Sequence, residues 1–165
     1  MDDRGLRQAF REHKDSVYGF AFRMTNSASA ADDLTQDCFM ELFRRPERWN
    51  PARGTLRNYL LGIARNLALK RWRRENRFCS LDDELAWQPV DDLPLDAALA
   101  VAAAIQALPP LQREAVILFE YEGLTLEETA AVTQTDIGAV KSRLHRAREN
   151  LRQTLAPLRP ANRGR

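Results

Sequence analysis

Residues 78–95, FCSLDDELAWQPVDDLPL, divide the chain: they carry five acidic side chains, two prolines and no basic residue, and their apolar residues follow no helical period. Such a stretch has no face to bury against a core, so it reads as a flexible acidic linker with the packed structure on either side of it. On both sides the apolar residues recur at three- and four-residue spacing, while Gly and Pro are sparse, which is a helical pattern. The chain is therefore expected to be all-α. Two small helical domains are expected, over residues 1–77 and 96–165. The eighteen linker residues would reach at most about 60 Å when extended, comparable to about 18 base pairs of duplex.

The charges are sorted in the same way. The formal net charge is only +2, yet residues 44–77 hold eleven Arg or Lys against Glu47 and Glu75, and residues 137–165 hold eight against Glu149. Between them lie Asp82, Asp83, Glu84, Asp91, Asp92 and Asp96 with no basic residue from 78 to 100. Two cationic modules thus flank an acidic middle, a distribution suited to contact with phosphate at two places.

In the first module Ala31, Leu34, Cys38, Leu42 and Phe39 fall at helical spacing, with Asp32, Asp33, Gln36, Asp37 and Glu41 on other faces. An acidic amphipathic helix follows, with Cys38 in its core. Thr55 is an N-cap for a long basic helix in which Leu56, Leu60, Ile63 and Leu67 form one apolar face. Tyr59, Asn66 and Arg73, seven apart, line one edge of that face, whereas Arg65 and Trp72 point away from it.

In the second module a helix from about Asp96 to Ala107 stops at Leu108-Pro109-Pro110, and Pro110 opens another, Leu111 to Tyr121, ended by Gly123. Thr125 and Glu128 form a capping box for a short helix through Val132. After a turn at Thr133–Asp136, a last helix buries Ile137, Val140, Leu144, Ala147 and Leu151 and presents Gly138, Ser142, His145 and Arg146 on its other side. That is a helix-turn-helix pattern, with a recognition helix sized for the major groove. Ser142, His145 and Arg146 are candidates for base edges, Lys141, Arg143 and Arg148 for phosphates. A basic helix face is also compatible with plain solvation; the capped helix before it and the second basic module favour DNA. The turn, Thr133-Gln134-Thr135, has no glycine where one is common in such motifs.

No phosphate-binding glycine loop, catalytic Ser-His or Cys-His arrangement or metal-ligand cluster occurs, so neither an enzyme nor a cofactor, metal or small-molecule substrate is expected. Cys38 and Cys79 are too far apart in sequence, and His13 and His145 too isolated, to suggest a disulfide or zinc site. The opening residues MDDRGLRQAF contain no apolar signal region and no stretch approaches the roughly 18 apolar residues of a membrane span, so a cytoplasmic protein without membrane insertion is expected. A dimeric operator-binding regulator and a protein-sequestering adaptor are competing readings; against the regulator, a basic module stands where a sensing domain would, and no heptad seam offers a dimer contact.

The chain resembles extracytoplasmic-function (ECF) sigma factors of bacterial RNA polymerase along nearly its whole length. ADDLTQDCFMELF (31–43) is similar to the family's helix for the polymerase β′ clamp, with Asp33, Gln36, Asp37 and Phe39 at matching positions. RGTLRNYLLGIARN (53–66) resembles the element that opens and reads the minus-10 promoter region; Asn66 matches the asparagine near the captured base. Ala52, Leu56, Tyr59 and Lys70 depart from the family's usual residues there. ALPPLQREAVILFEYEGLTLEETAAV and TDIGAVKSRLHRAR resemble the minus-35 domain. The resemblance implies sigma region 2 and region 4, minus-10 contact through Tyr59, Arg65, Asn66, Lys70 and Arg73, and minus-35 contact through Lys141, Ser142, Arg143, His145 and Arg146. It further implies three partners: core RNA polymerase at its β′ clamp and β flap, promoter DNA, and an anti-sigma factor.

Overall fold

The computed structural model describes residues 1–81 and 87–158. The first half is a three-helix bundle. Helix α1, Asp3–Thr25, starts at Asp2, whose carboxylate accepts the Gly5 N–H at 2.8 Å, and ends at Asn26 in the left-handed region. Helix α2, Ala28–Arg44, is capped by Ser27, and α3, Leu56–Glu75, by Thr55, which accepts the Asn58 N–H at 3.1 Å. Short side-chain acceptors at these positions satisfy amide groups that the first helical turn leaves without partners. Phe20, Leu42, Leu60 and Leu61 are fully buried at the centre of the bundle.

Cys38 belongs to that core. Its thiol donates to the Leu60 carbonyl at 3.3 Å, and burial pushes it up to about 12, so it remains protonated at neutral pH.

Helix α3 is turned relative to its expected apolar face. Leu60, Leu61, Ala64, Ala68 and Leu69 are buried, whereas Leu56, Ile63 and Leu67 are only half-buried at the margin. The physical reason is that α3 packs on two sides, against α1 and α2 and also against a helix of the second half. A helix covered on two sides does not confine its apolar residues to a single stripe.

The second half begins with α4, Ala97–Ala107, capped by Asp96 and stopped at Leu108 by the two prolines. Helix α5, Pro110–Val116, runs directly into a wide π-helical turn, Ile117–Tyr121, in which the Glu122 N–H donates to the Ile117 carbonyl at 2.9 Å. Gly123 (φ 69) reverses the chain in a conformation that favours glycine. The short α6, Leu126–Val132, carries the expected capping box of Thr125 and Glu128. Asp136 caps α7, Ile137–Leu155, and accepts the Ala139 N–H at 2.7 Å. Val140, Leu144 and Ala147 of α7 pack with Leu108, Ala115, Val116 and Ala130.

The halves are not separate bodies. Ile105, Ile117, Leu118, Leu124 and Val132 join the apolar core of α1–α3. Every residue from 112 to 118 is buried, because α5 and its wide turn face α7 on one side and α1 on the other. A segment apolar on more than one face must be covered on more than one face. The two helical domains are present as expected, and besides being joined by the linker they pack on each other. Of that linker, Asp82, Asp83 and Glu84 lie outside the described residues; residues 87–95 have no regular secondary structure, and the Leu81 carbonyl is held by the Leu111 N–H at 3.3 Å. Among the described residues no helix is long and apolar enough to cross a membrane.

The turn between α6 and α7 accommodates its missing glycine by placing Gln134 at φ 55. A left-handed residue with a Cβ costs about 1–2 kcal/mol, part of which glycine returns as unfolded-state entropy. Gln134→Gly is expected to raise the unfolding free energy by up to about 1 kcal/mol in urea titrations; a loss of stability would contradict this account of the turn.

Candidate nucleic-acid interface

The outer side of α7 is polar and cationic. Lys141, Ser142, His145 and Arg146 are exposed there, as the helical wheel requires when Val140, Leu144 and Ala147 face inward. Arg143 differs from these four. It is half-buried, its Nη1 is buried without a hydrogen-bond partner, and its charge acts on Glu114 of α5. On the wheel it falls about 40° beyond Ala147, on the flank of the buried stripe. Arg148, a phosphate candidate in the sequence, pairs with Glu120 at 2.8 Å and lies 5.9 Å from the centre of the Phe119 ring.

The second surface is a cleft of about 1130 Å³ beside α3. Tyr59, Asn66 and Lys70 line it from α3, Gln36 and Asp37 from α2, and Ala131, Val132 and Gln134 from the second half. Arg48 and Arg53, from two 3-10 turns between α2 and α3, Pro46–Arg48 and Pro51–Arg53, also line it. Asn50 accepts the Ala52 N–H at 2.9 Å, and the indole of Trp49 donates to the Gly54 carbonyl at 3.3 Å. Gly54, at φ 148, makes the bend into α3. Tyr59 is half-buried; burial raises its phenol while Arg48 opposes the shift.

Two other minus-10 candidates stand apart from this cleft. Arg65 points to the opposite side of α3 and forms a two-pronged pair with Glu114, Nε to Oε2 at 2.7 Å and Nη2 to Oε1 at 3.0 Å. Its side chain is 11% exposed and that of Glu114 is 0% exposed. Burial raises the Glu114 carboxyl above its ordinary range, against the opposing effects of Arg65, Arg143 and Arg73. Arg73 is itself exposed.

On α2, Asp33, Gln36 and Asp37 form an exposed polar strip. Phe39 does not belong to it: it is 2% exposed and meets Phe10 edge-on with ring centres 5.0 Å apart. A direct polymerase contact by Phe39 is therefore corrected to a supporting position behind the strip, because its helical position faces the bundle core. The exposed apolar side chains nearby are Phe10, Met40 and Phe43.

Sequence periodicity missed the residues that join the halves. Arg113 is buried and bridges them, Nη1 donating to the Met24 carbonyl at 2.8 Å and Nη2 to the carbonyls of Gln106 at 2.7 Å and Leu108 at 2.9 Å. Gln106 adds donors to the carbonyls of Arg23 and Met24, both at 3.0 Å. These side chains occupy acceptors at the C-terminal end of α1 that no further helical turn satisfies. Burial lowers Arg113 to about 10, which leaves it charged at neutral pH.

A capped helix-turn-helix with an exposed cationic face, together with a second basic helix lining a cleft, defines a two-module helical protein built to contact nucleic acid. Comparison with known proteins specifies it further. Sigma-70 region 2 matches residues 9–78 and Sigma-70, region 4 matches residues 98–151. The chain is 37% identical to the ECF RNA polymerase sigma factor SigE of Mycolicibacterium smegmatis over 88% of its own length, spanning 60% of that relative. It is 33% identical to the RNA polymerase sigma factor CarQ of Myxococcus xanthus, over 90% of this chain and 88% of CarQ. Among solved structures, the sigma factor RpoE of Bartonella quintana, in complex with the anti-sigma factor NepR, superposes with a TM-score of 0.75 at 27% identity, covering 94% of this chain and 99% of RpoE. The chain belongs to the RNA polymerase sigma factors of the ECF class.

Replacing Arg113 by leucine removes its donors from the carbonyls of Gln106 and Leu108, each of which costs about 1–3 kcal/mol when left unsatisfied, while the Met24 carbonyl keeps its donor from Gln106. Arg113→Leu is accordingly expected to lower the unfolding free energy by about 3 kcal/mol or more in urea titrations. A change below about 1 kcal/mol would show that these bonds contribute little to holding the halves.

Proposed function

We propose that this sigma factor binds core RNA polymerase and directs it to a set of promoters, with region 2 on the β′ clamp and the minus-10 element and region 4 at the β flap and the minus-35 element. The observation that carries this reading is the outward face of α7, where Lys141, Ser142, His145 and Arg146 are exposed behind a properly capped helix-turn-helix. A face of that size and chemistry suits the major groove, with hydrogen-bonding groups for base edges and cations for phosphates. Arg143 joins this set only if it is released from the neighbourhood of Glu114.

The α3 cleft is the corresponding candidate for the opened strand. Strand separation costs about 1.4 kcal/mol per base-pair step, and a captured base offsets part of that by stacking and edge hydrogen bonds. Tyr59 supplies an aromatic surface, Asn66 an amide with donor and acceptor, and Lys70 a cation along the same flank. Arg73, on the same edge of the helix, would take a phosphate, and Arg65 would take one from another side of α3 when released from Glu114. The exposed strip of Asp33, Gln36 and Asp37 is the proposed docking site for the polymerase clamp. In this role the chain binds and positions, while the polymerase performs the chemistry.

The solved RpoE structure contains an anti-sigma factor, which supports a partner of that kind here as well. Control by such a partner and action in the cytoplasm complete the proposal. The residue sets and the division into 1–77, 78–95 and 96–165 are parts of the same reading.

The decisive experiment is reconstitution with purified core polymerase: co-purification and run-off transcription from a linear promoter template are expected, and the failure of both would refute the reading. Asn66→Ala is expected to cut open-complex formation, followed by permanganate footprinting, by at least about tenfold with little loss of closed-complex binding. Equal opening by variant and parent would remove Asn66 from the minus-10 site. Arg146→Ala is expected to relax discrimination against altered minus-35 sequences by about 1–3 kcal/mol in competition binding of the holoenzyme; unchanged discrimination would exclude it from base readout.

A further inference from the structure

We propose that Arg65 is a positioning residue for the α3 cleft: it engages the side-chain carbonyl of Asn66, so that Asn66 presents N–H donors to the captured base and the cleft selects a base bearing a keto oxygen over adenine. The proposal rests on the reading of this cleft as the minus-10 site.

The two residues are neighbours on α3 but face different surroundings. Asn66 is exposed and lines the cleft together with Tyr59, Ile63 and Lys70. Arg65 is turned away from it, with Nε and Nη2 on the two carboxylate oxygens of Glu114 at 2.7 and 3.0 Å. Its remaining nitrogen, Nη1, donates to Asn66 Oδ1 at 3.3 Å. A guanidinium donates hydrogen bonds and cannot accept them. The Asn66 amide is therefore held in one of its two flipped orientations, because turning it over would set its NH2 group against an N–H and a positive charge.

The Arg65 side chain is 11% exposed, and its fork on Glu114 leaves the planar guanidinium little freedom to rotate. The edge formed by Nε and Nη2 is one that a phosphate also fits. Nη1 lies outside that edge, so its bond to Asn66 persists whichever oxyanion occupies the fork.

Chemical selection follows from the orientation of the amide. A free Asn amide recognises adenine at two points, accepting from N6 through its carbonyl while donating to a ring nitrogen. Here the carbonyl already has a donor, and the adenine amino group would have to approach beside a guanidinium. The Nδ2 group carries no such restriction. It donates to the keto oxygen that cytosine, thymine and guanine each bear and adenine lacks. A site that cannot rearrange discriminates in this way because the wrong edge leaves polar groups unpaired.

The test uses the full chain bound to purified core polymerase and a linear template library randomised across the minus-10 region, with open complexes trapped and sequenced. Asn66→Ala identifies the position that this residue reads, as the one whose base preference it flattens. At that position the parent is expected to favour keto bases over adenine by about tenfold. Arg65→Met alone would strand the buried Glu114, so it is combined with Glu114→Met, which removes both members of the pair. With its amide free to turn, the double variant is expected to bring adenine to within about threefold of the keto bases. Glu114→Gln alone, which leaves Arg65 an acceptor, is expected to retain the parent preference. Asn66→Asp, an exposed substitution, keeps the contact with Arg65 but replaces the donors by an acceptor, and is expected to reverse the order of adenine and thymine. Base preference is a ratio that a general loss of stability does not move. A parent preference for adenine, an unaltered preference in the double variant, an unchanged order in Asn66→Asp, or an Asn66→Ala variant that flattens no position would each overturn the proposal while promoter opening stands. Failure of the parent holoenzyme to open any template would instead overturn the minus-10 reading, and this assignment with it.

Discussion

A carboxylate with no exposed surface is tolerated only where positive charge and hydrogen-bond donors replace the water it has lost. Glu114 is in that position, and Arg65 supplies two donors from the other half of the chain. The pair ties α5 to α3, beside the apolar contacts of Ile117 and Leu118 with the first bundle, and Arg143 of α7 acts on the same carboxylate. Removing one partner of such a pair costs more than the pair contributes, since the other is left buried and unmatched.

The apolar and polar parts of the interface have different consequences. Ile105, Ile117, Leu118 and Val132 extend the core of α1–α3 without a break, and burial of apolar area is the term that favours closure. The ion pairs and the carbonyls taken by Arg113 and Gln106 fix how the halves meet. Among the guanidiniums involved, Arg65 lies on α3, which also carries nucleic-acid candidates.

Local chemistry made much of this legible in advance. The capping box at Thr125 and Glu128, the stop before Pro109, the reversal at Gly123 and the buried stripe of α7 follow from rules that act over one or two helical turns. The exposure of Ser142, His145 and Arg146 follows from the same stripe. The buried face of α3 departs from the single stripe that periodicity predicts because its packing partners lie on two sides, one of them more than fifty residues away in sequence. Family likeness places Phe39 on a contact surface, whereas its spacing with Leu34, Cys38 and Leu42 places it toward the core, where it is buried. The turn at Gln134 shows the converse: the backbone there requires a left-handed residue, and no local signal announces that glutamine will adopt it.

By itself the sequence determined the helices, their caps, the two cationic modules and the family to which they belong, because periodicity, capping and motif spacing are properties of neighbouring residues. Only the tertiary structure decided that the modules share one core, that Arg65 and Arg143 turn toward Glu114 rather than solvent, and that the α3 cleft is bordered by α6. Those outcomes depend on which distant surfaces bury each other's apolar area and neutralise each other's charge, and no spacing along the chain encodes that choice.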